Sequence, residues 1–353
     1  MSHAMTWYQL SDTGMMALSA SENAPSSTAV SKSDSLATAP QRIAPNLRAL
    51  AYGDGFFTTM GVHNAHLLWP SYHQARLHSH CQALQLTINH EVNQRLWQQL
   101  RQFAATINHG MIKLIISRPT QNLRGYAYST LACDNEALIW IGVMKTAPLA
   151  QQTAQFLPIE QVPIKQVSIK QGSDSKCSEQ IVLQQSPIIA KCLQSQLASL
   201  PEPLAGLKSL NRLDGVMIAG ELQRHKQQNP ELAEGLVADM DGNWVEGVMS
   251  NVFYQLKCKP DVTNSQQTSL NWYTPPIVHS GVRGIMRQVI MDRLARQGIP
   301  AQERLLRDED LGQIESMFFC NGVRGVMPVQ QLWFQDERFQ LSLAPFNKKF
   351  VSR

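Results

Sequence analysis

Apolar positions along the chain fall into short runs with two different periods. TWYQL (6–10) reads as a first strand, and IAPNLRALAYGDGFFTTMGVHNAHLLW (43–69) as strand, turn, strand and hairpin. SYHQARLHSHCQALQL (71–86) switches to helical spacing, with Ala75, Leu77, Cys81, Leu84 and Leu86 as its expected core side. A second helix is expected over 91–107. MIKLIISR (111–118) and ALIWIGVMK (137–145) are compact apolar strands.

A Gln-rich run after Ala147-Pro148 interrupts this pattern and is expected to connect two domains, 1–148 and 149–353. Beyond it, VPIKQVSIK (162–170) alternates like a strand, and 179–200 contains a possible helix interrupted by Pro187. GLVADMDGNWVEGVMSNVFYQLK (235–257) predicts two strands joined by a turn at Asp241-Gly242. YTPPIVHSGVRGIMRQVIMDRLARQGIP (273–300) predicts a strand, a loop and a helix from about Val282. Val282, Met286, Ile290 and Leu294 share one face of that helix and Gly298 closes it. ESMFFCNGVRGVMPVQQL (315–332) gives a strand and a sharp turn at Asn321-Gly322. Strands alternating with helices make this an α/β (α+β) protein.

Composition narrows the picture. Hydrophobic residues make up 43 % of 353 and charged residues 16 %, ample for a core of ordinary size. The net charge of +4 is spread thinly, with no dense Lys/Arg run among aromatics, so nucleic acid is not an expected partner. No apolar run approaches the roughly 20 residues of a membrane helix, and no basic segment followed by an apolar block opens the chain. Six cysteines without a CxxC pair fit free thiols, and a cytoplasmic location is expected. The Ser/Ala/Thr/Pro-rich stretch 19–40 is expected to be a mobile insertion; 149–204 and 259–270 are further poorly patterned segments. His78 and His80 form an HxH pair without acidic or cysteine partners at ligand spacing, which favours surface or core histidines over a metal site.

Four features carry candidate chemistry. Lys208 heads the segment KSLNRLDGVM, Glu246 stands in an otherwise apolar stretch, Gly281-Val282-Arg283-Gly284 opens a helix, and Arg76 lies in the helix of 71–86. A desolvated lysine can bond an aldehyde, a carboxylate can pair with a ring nitrogen, and a helix N-terminus with an arginine can hold a phosphate. Each has an ordinary alternative: a surface lysine, a strand-edge carboxylate, a helix cap. The Tyr52–Gly55 segment, YGDG, has the composition of a tight turn where the backbone approaches something closely.

Taken together, YGDGFFTT (52–59), YHQARL (72–77), KSLNRLDGVM (208–217), VEGVMSNVFY (245–254), TPPIVHSGVRGIMRQ (274–288) and FFCNGVRGVMPV (318–329) resemble the fold-type IV pyridoxal-phosphate enzymes, the class IV aminotransferase family. The resemblance runs from about Ile43 to Val329 and omits 149–204 and 259–270. It implies a smaller N-terminal α/β domain, a larger C-terminal domain with a barrel-like sheet, pyridoxal 5'-phosphate as cofactor, a small-molecule substrate, and a homodimer with the site near the subunit interface. Carried over residue by residue, it makes Lys208 the lysine that bonds the cofactor's aldehyde and Glu246 the partner of its ring nitrogen. Arg76, Val282, Arg283, Asn321 and Gly322 surround its phosphate, and Ser250 and Asn251 line its wall. Arg118 and Arg124 fall where such enzymes often bind substrate carboxylates; ion pairing at a domain surface is the alternative for both.

Within the family the chain is most similar to the aminodeoxychorismate lyase branch, through Lys208–Leu213, Gly281–Arg287, Arg124-Gly125-Tyr126 and Val326–Val329. That implies conversion of 4-amino-4-deoxychorismate to 4-aminobenzoate and pyruvate, in folate biosynthesis. Branched-chain aminotransferases usually carry a tyrosine near the position of Leu210. Gly322-Val323-Arg324 departs from the Ala-Leu that lyases often have there. An aminotransferase for branched-chain or D-amino acids, and a binding protein that kept the fold without the cofactor, are the rival expectations.

Overall fold

The computed structural model describes residues 5–11, 14–18, 44–149, 152–154, 181–257 and 271–346. The expected insertion at 19–40, the strand at 162–170 and the loop at 259–270 lie outside the described residues. The chain divides into two compact units. One comprises Met1–His66, His80–Ala147 and Ser209–Asn211; the other comprises Leu67–Ser79, Pro148–Lys208 and Arg212–Arg353.

In the first unit, β1 (Thr6–Ser11), β2 (Gly14–Leu18), β3 (Gly55–His63), β4 (His66–Leu67), β5 (Gly110–Ser117) and β6 (Leu138–Lys145) form a six-stranded sheet in the order β2-β1-β6-β5-β3-β4. Period-two alternation decides its buried face: Ile112, Leu114 and Ile116 of β5 and Ile139, Ile141 and Val143 of β6 point into the core. α1 (Arg48–Ala51) and α3 (His90–Ile107) accompany these strands, while α2 (Pro70–Ala83) belongs to the second unit through Ser79 and to the first from His80. α3 presents Val92, Leu96, Leu100, Ala104 and Ile107 on one buried stripe. Its N-cap Asn89 accepts from the Val92 N–H at 2.8 Å, satisfying a donor that the first turn otherwise leaves open.

α1 replaces the strand expected before the YGDG turn. Its last turn feeds Gly53, whose φ of +63° only glycine adopts readily. α2 forms where expected, but its buried stripe is His73, Arg76, Leu77 and His80, and Ala75 is exposed. A polar stripe was hidden because Arg and His score as surface residues in a hydrophobicity pattern. His78 is exposed, while the ring of His80 packs edge-on against Phe56 with centroids 5.1 Å apart.

The second unit is built on a closed ring. Its strands are β7 (Gln152–Thr153), β8 (Leu183–Gln184), β9 (Ile188–Cys192), β10 (Leu232–Ala238), β11 (Trp244–Gly247), β12 (Asn251–Leu256), β13 (Tyr273–Thr274), β14 (Gln302–Glu303), β15 (Ile314–Asn321), β16 (Gly325–Phe334) and β17 (Glu337–Gln340). β9 pairs with β10, β10 with β11, β11 with β12, β12 with β15, β15 with β16, and β16 again with β9, closing a six-stranded barrel. One core cluster takes side chains from all six: Cys192, Leu236, Trp244, Tyr254, Phe319 and Val329. Only the lumen of a closed sheet can receive all six.

The alternate positions face outward and are covered by helices. Phe253 and Phe318 share a cluster with Met286, Val289, Ile290 and Leu294, and Val237 and Val245 share one with Ile218 and Leu222. These helical residues belong to α4 (Leu213–Gln228) and α5 (Ile285–Arg296); the last helix is α6 (Asp308–Leu311). Each fully buried aliphatic side chain on α5 contributes about 1.5–3 kcal/mol of apolar burial, so this face anchors the helix whose start matters below.

Three expectations change here. The described part of 179–200, from residue 181, forms β8 and β9 instead of a helix. Pro187 holds its predecessor extended, and the β-branched pair Ile188-Ile189 follows in β9, between β10 and β16. The stretch 235–257 gives three strands, because Gly247 N–H bonds the Ser250 carbonyl at 2.6 Å and ends β11 in a second turn. The helix expected from Val282 begins at Ile285, because Gly284 is extended (φ −68°, ψ 143°) and serves as N-cap. Among the described residues no helix is long and apolar enough to cross a membrane, and Cys81, Cys133, Cys192 and Cys320 are free thiols.

Candidate active site

Lys208 lies in an extended segment just before α4. Gly206 forms a parallel bridge with Val282, and the Arg283 N–H donates to the Gly206 carbonyl at 3.0 Å. Gly206 has φ +78°, and a Cβ there would meet the Arg283 side chain at 2.8 Å. The glycine lets two backbones meet, and that meeting brings half-buried Lys208 beside the Gly281–Gly284 loop. Lys208 acts electrostatically on Glu246.

Glu246 sits near the end of β11 and is 5 % exposed. Its Oε2 accepts the Val282 N–H at 2.8 Å and Asn251 Nδ2 at 3.2 Å, and its Oε1 lies 3.7 Å from Arg212 Nη2. Burial pushes the carboxyl up to about 7; Arg212, the Val282 N–H and Lys208 pull it back, while Asp214 pushes it up further. Gly281 closes over this carboxylate: its φ is +88°, and a Cβ would stand 3.0 Å from Oε2.

The start of α5 is prepared from two sides. Asn251 Nδ2 donates to the Val282 carbonyl at 2.9 Å, and a Cβ on Gly284 would fall 1.8 Å from Asn251 Oδ1. Buried Arg76 donates from Nη2 to the Arg283 carbonyl at 2.6 Å. Desolvation lowers its guanidinium to about 10, which leaves it cationic at neutral pH. Gly284 offers no side-chain cap, so the first N–H groups of the helix keep their capacity for an anion.

The remaining expected residues of this unit adjoin that cluster. Ser250 Oγ donates to Glu234 Oε2 at 2.9 Å. Asn321 Oδ1 accepts the N–H groups of Val323 and Arg324 at 3.1 and 2.8 Å, and its Nδ2 donates to the Met249 carbonyl at 3.3 Å. Gly322 lies in the turn that Asn321 closes. Contacts within one unit therefore link Glu246, Asn251, Val282, Arg283 and Arg76, with Lys208 two residues after the Gly206–Val282 bridge and Ser250, Asn321 and Gly322 joined through the turn at Met249.

Two residues were missed. Arg212 was noticed only as part of a motif. Glu234 went unnoticed although a carboxylate inside LAEGLVA (232–238) was itself a signal, since a buried charge must find partners.

Arg118 and Arg124 belong to the first unit. Arg118 is 2 % exposed. Its Nε meets Asp54 at 2.9 Å, and its Nη groups donate to Asn135 and to the carbonyl oxygens of Leu84 and Gln85. Arg48 also meets Asp54, at 2.7 Å, so the YGDG aspartate joins two arginines. These bonds, made from Nε, Nη1 and Nη2 inside the first unit, tie Arg118 into its framework. Arg124, in the Arg-Gly-Tyr loop, is exposed.

Residues 55–332 match the family described as amino-transferase class IV. The chain belongs to that family. It is 23 % identical over 146 residues to an aminodeoxychorismate lyase from Vibrio harveyi (41 % of this chain, 48 % of that protein). It is 27 % identical over 130 residues to a branched-chain-amino-acid aminotransferase from Salmonella typhimurium (37 % of each chain). The match thus spans less than half the length of either curated relative. Its fold is that of the 4-amino-4-deoxychorismate lyase from Pseudomonas aeruginosa, with a TM-score of 0.61 at 24 % identity over 87 % of this chain and 93 % of that one. The two-domain fold-type IV architecture with its barrel is therefore as expected. Pyridoxal phosphate is the cofactor of this class IV chain. The cluster fits its three demands: a half-buried amine, a buried carboxylate acceptor, and an uncapped helix start beside a buried guanidinium.

Proposed function

We propose that this chain is a 4-amino-4-deoxychorismate lyase that forms 4-aminobenzoate and pyruvate. One observation carries this reading: Arg212, from the Lys208–Leu213 segment shared with the lyase branch, lies 3.7 Å from the Glu246 carboxylate. The segment that sets this branch apart thereby reaches the residue assigned to the ring nitrogen. Similarity to the Vibrio harveyi lyase supports the same choice.

Bound pyridoxal phosphate supplies an aldehyde that takes up the substrate amine and a ring that accepts electrons. Arg76, Val282, Arg283, Asn321 and Gly322 are the residues we assign to its phosphate. Ser250 and Asn251 are assigned to its wall, and Glu246 to its ring nitrogen. Lys208 takes the proton from C4 of the substrate at Nζ. The C3–O ether bond breaks, and the enolpyruvyl group leaves with the bonding pair. Lys208 returns the proton to the methylene carbon, giving pyruvate. Substrate and products balance without water or oxidant, and the ring left behind is aromatic, which drives the reaction forward. Exposed Arg124 is the arginine we assign to a substrate carboxylate. A homodimer in the cytoplasm is the assembly and location proposed with this activity.

The test supplies 4-amino-4-deoxychorismate and measures 4-aminobenzoate. Product from the wild type, lost on Lys208→Ala, is expected. No product from the wild type, or undiminished product from the variant, overturns the proposal. Similarity to a branched-chain aminotransferase favours one rival: a stable absorbance change on adding an amino acid alone would identify a transaminase half-reaction.

A further inference from the structure

Glu234 is a carboxylate that the proposed chemistry does not use, yet it is 4 % exposed in the middle of β10. Burying an ionisable group there is unfavourable unless donors surround it. Its donors come largely from one place. Oε1 accepts the Val248 N–H at 3.0 Å as well as the Gly235 N–H at 3.1 Å, and Oε2 accepts Ser250 Oγ at 2.9 Å. Two of the three donors therefore belong to the four-residue turn Gly247–Ser250 between β11 and β12.

That turn stands between the residues assigned to the cofactor. It follows Glu246 directly and precedes Asn251, whose amide reaches both Glu246 and the Val282 carbonyl. Its Met249 carbonyl accepts from Asn321, the residue that closes the turn at Gly322. The turn has little room to adjust on its own: a Cβ on Gly247 would meet Ser250 Oγ at 2.3 Å. Burial raises the Glu234 carboxyl, while the Gly235, Ser250 and Val248 donors and Arg324 pull it back.

We infer that Glu234 is a positioning residue for the cofactor: by clamping Val248 and Ser250 it sets Glu246 and Asn251 toward the ring nitrogen and the α5 start. The inference rests on the assignment of Glu246, Ser250 and Asn251 to pyridoxal phosphate, and is independent of whether the reaction is elimination or transamination. Glu234→Leu takes every acceptor away from the Gly235, Val248 and Ser250 donors, whereas an amide would still accept at one atom and donate to the Ser250 hydroxyl at the other.

The test is a titration of apoenzyme with pyridoxal phosphate, followed by cofactor absorbance, beside chemical denaturation of the same apoproteins. For Glu234→Leu we expect the dissociation constant to rise about tenfold. A Glu234→Leu constant within about twofold of wild type overturns the inference, whatever the change in stability. If that variant fails to fold, Glu234→Asp, which keeps the charge but withdraws the oxygens by one methylene, gives the same two outcomes. Wild type that takes up no pyridoxal phosphate overturns both this inference and the proposed function; wild type that binds it while Glu234→Leu binds equally well overturns only the inference.

Discussion

The Val282 N–H and the Glu246 carboxylate meet at 2.8 Å, joining the loop that opens α5 to the end of a barrel strand. This bond ties a residue proposed for the cofactor's phosphate to the one proposed for its ring nitrogen. A change at either end is therefore expected to register at the other.

The charge state of Glu246 sets a pH dependence. Burial raises it to about 7 from an ordinary 4.5, with Arg212, Lys208 and Asp214 as its charged neighbours. The folded chain keeps this proton at pH values where the unfolded chain has lost it. Stability from the neutral form is full below about 4.5 and disappears as pH rises through about 7. The loss is of order 3 kcal/mol in the apoprotein. Denaturation curves at pH 4 and pH 8 should show this loss in wild type and a flatter dependence in Glu246→Gln. Equal slopes would contradict it.

Gly284→Ala tests the packing between α5 and Asn251. The backbone at Gly284 suits any residue, so the added methyl acts only by displacing Asn251, which it would approach to 1.8 Å. A loss of about 1–3 kcal/mol in apoprotein stability is expected, together with weaker cofactor uptake. An unchanged denaturation midpoint would speak against this packing.

The two candidate arginines should separate by readout. Arg118→Ala strips a buried guanidinium from Asp54, Asn135 and two carbonyls, and about 3 kcal/mol of stability should go with it. Arg124→Ala should leave the unfolding midpoint unchanged and raise KM for a dicarboxylate substrate about tenfold or more. The reverse pattern would exchange their roles.

Arg76→Lys keeps a cation but loses the planar fork that reaches the Arg283 carbonyl. Affinity for pyridoxal phosphate should fall about tenfold, read from the cofactor's absorbance. Inorganic phosphate should compete less well with pyridoxal phosphate in the variant than in wild type.

Much of the site was legible because its chemistry imposes local sequence. A lysine after Gly-Leu, a glutamate before Gly, and glycines opening a helix each reflect a backbone that must come close to something, as Gly206, Gly281 and Gly284 do. Period-two and period-3.6 runs were enough to predict α2, α3 and the strands of the first sheet other than β2, whose Gly14–Leu18 lacks a clear alternation. The helix expected in 179–200 failed because short apolar runs look alike in helix and strand, and pairing with β10 and β16 chose the strand.

What the sequence determined by itself is therefore the inventory: which residues carry charge, where the chain must turn, and to which family it belongs. Tertiary structure alone decided which groups are occupied. Arg118 and Arg124 look equivalent on paper, yet one is buried against Asp54 and Asn135 and the other is exposed. Glu234 and Arg212 acquired their importance only when the barrel closed and brought partners from distant positions. Whether a charged side chain is a binding group or a structural one depends on whether its hydrogen bonds are already made. Most of those partners lie between 14 and 64 residues away, beyond the reach of any local pattern.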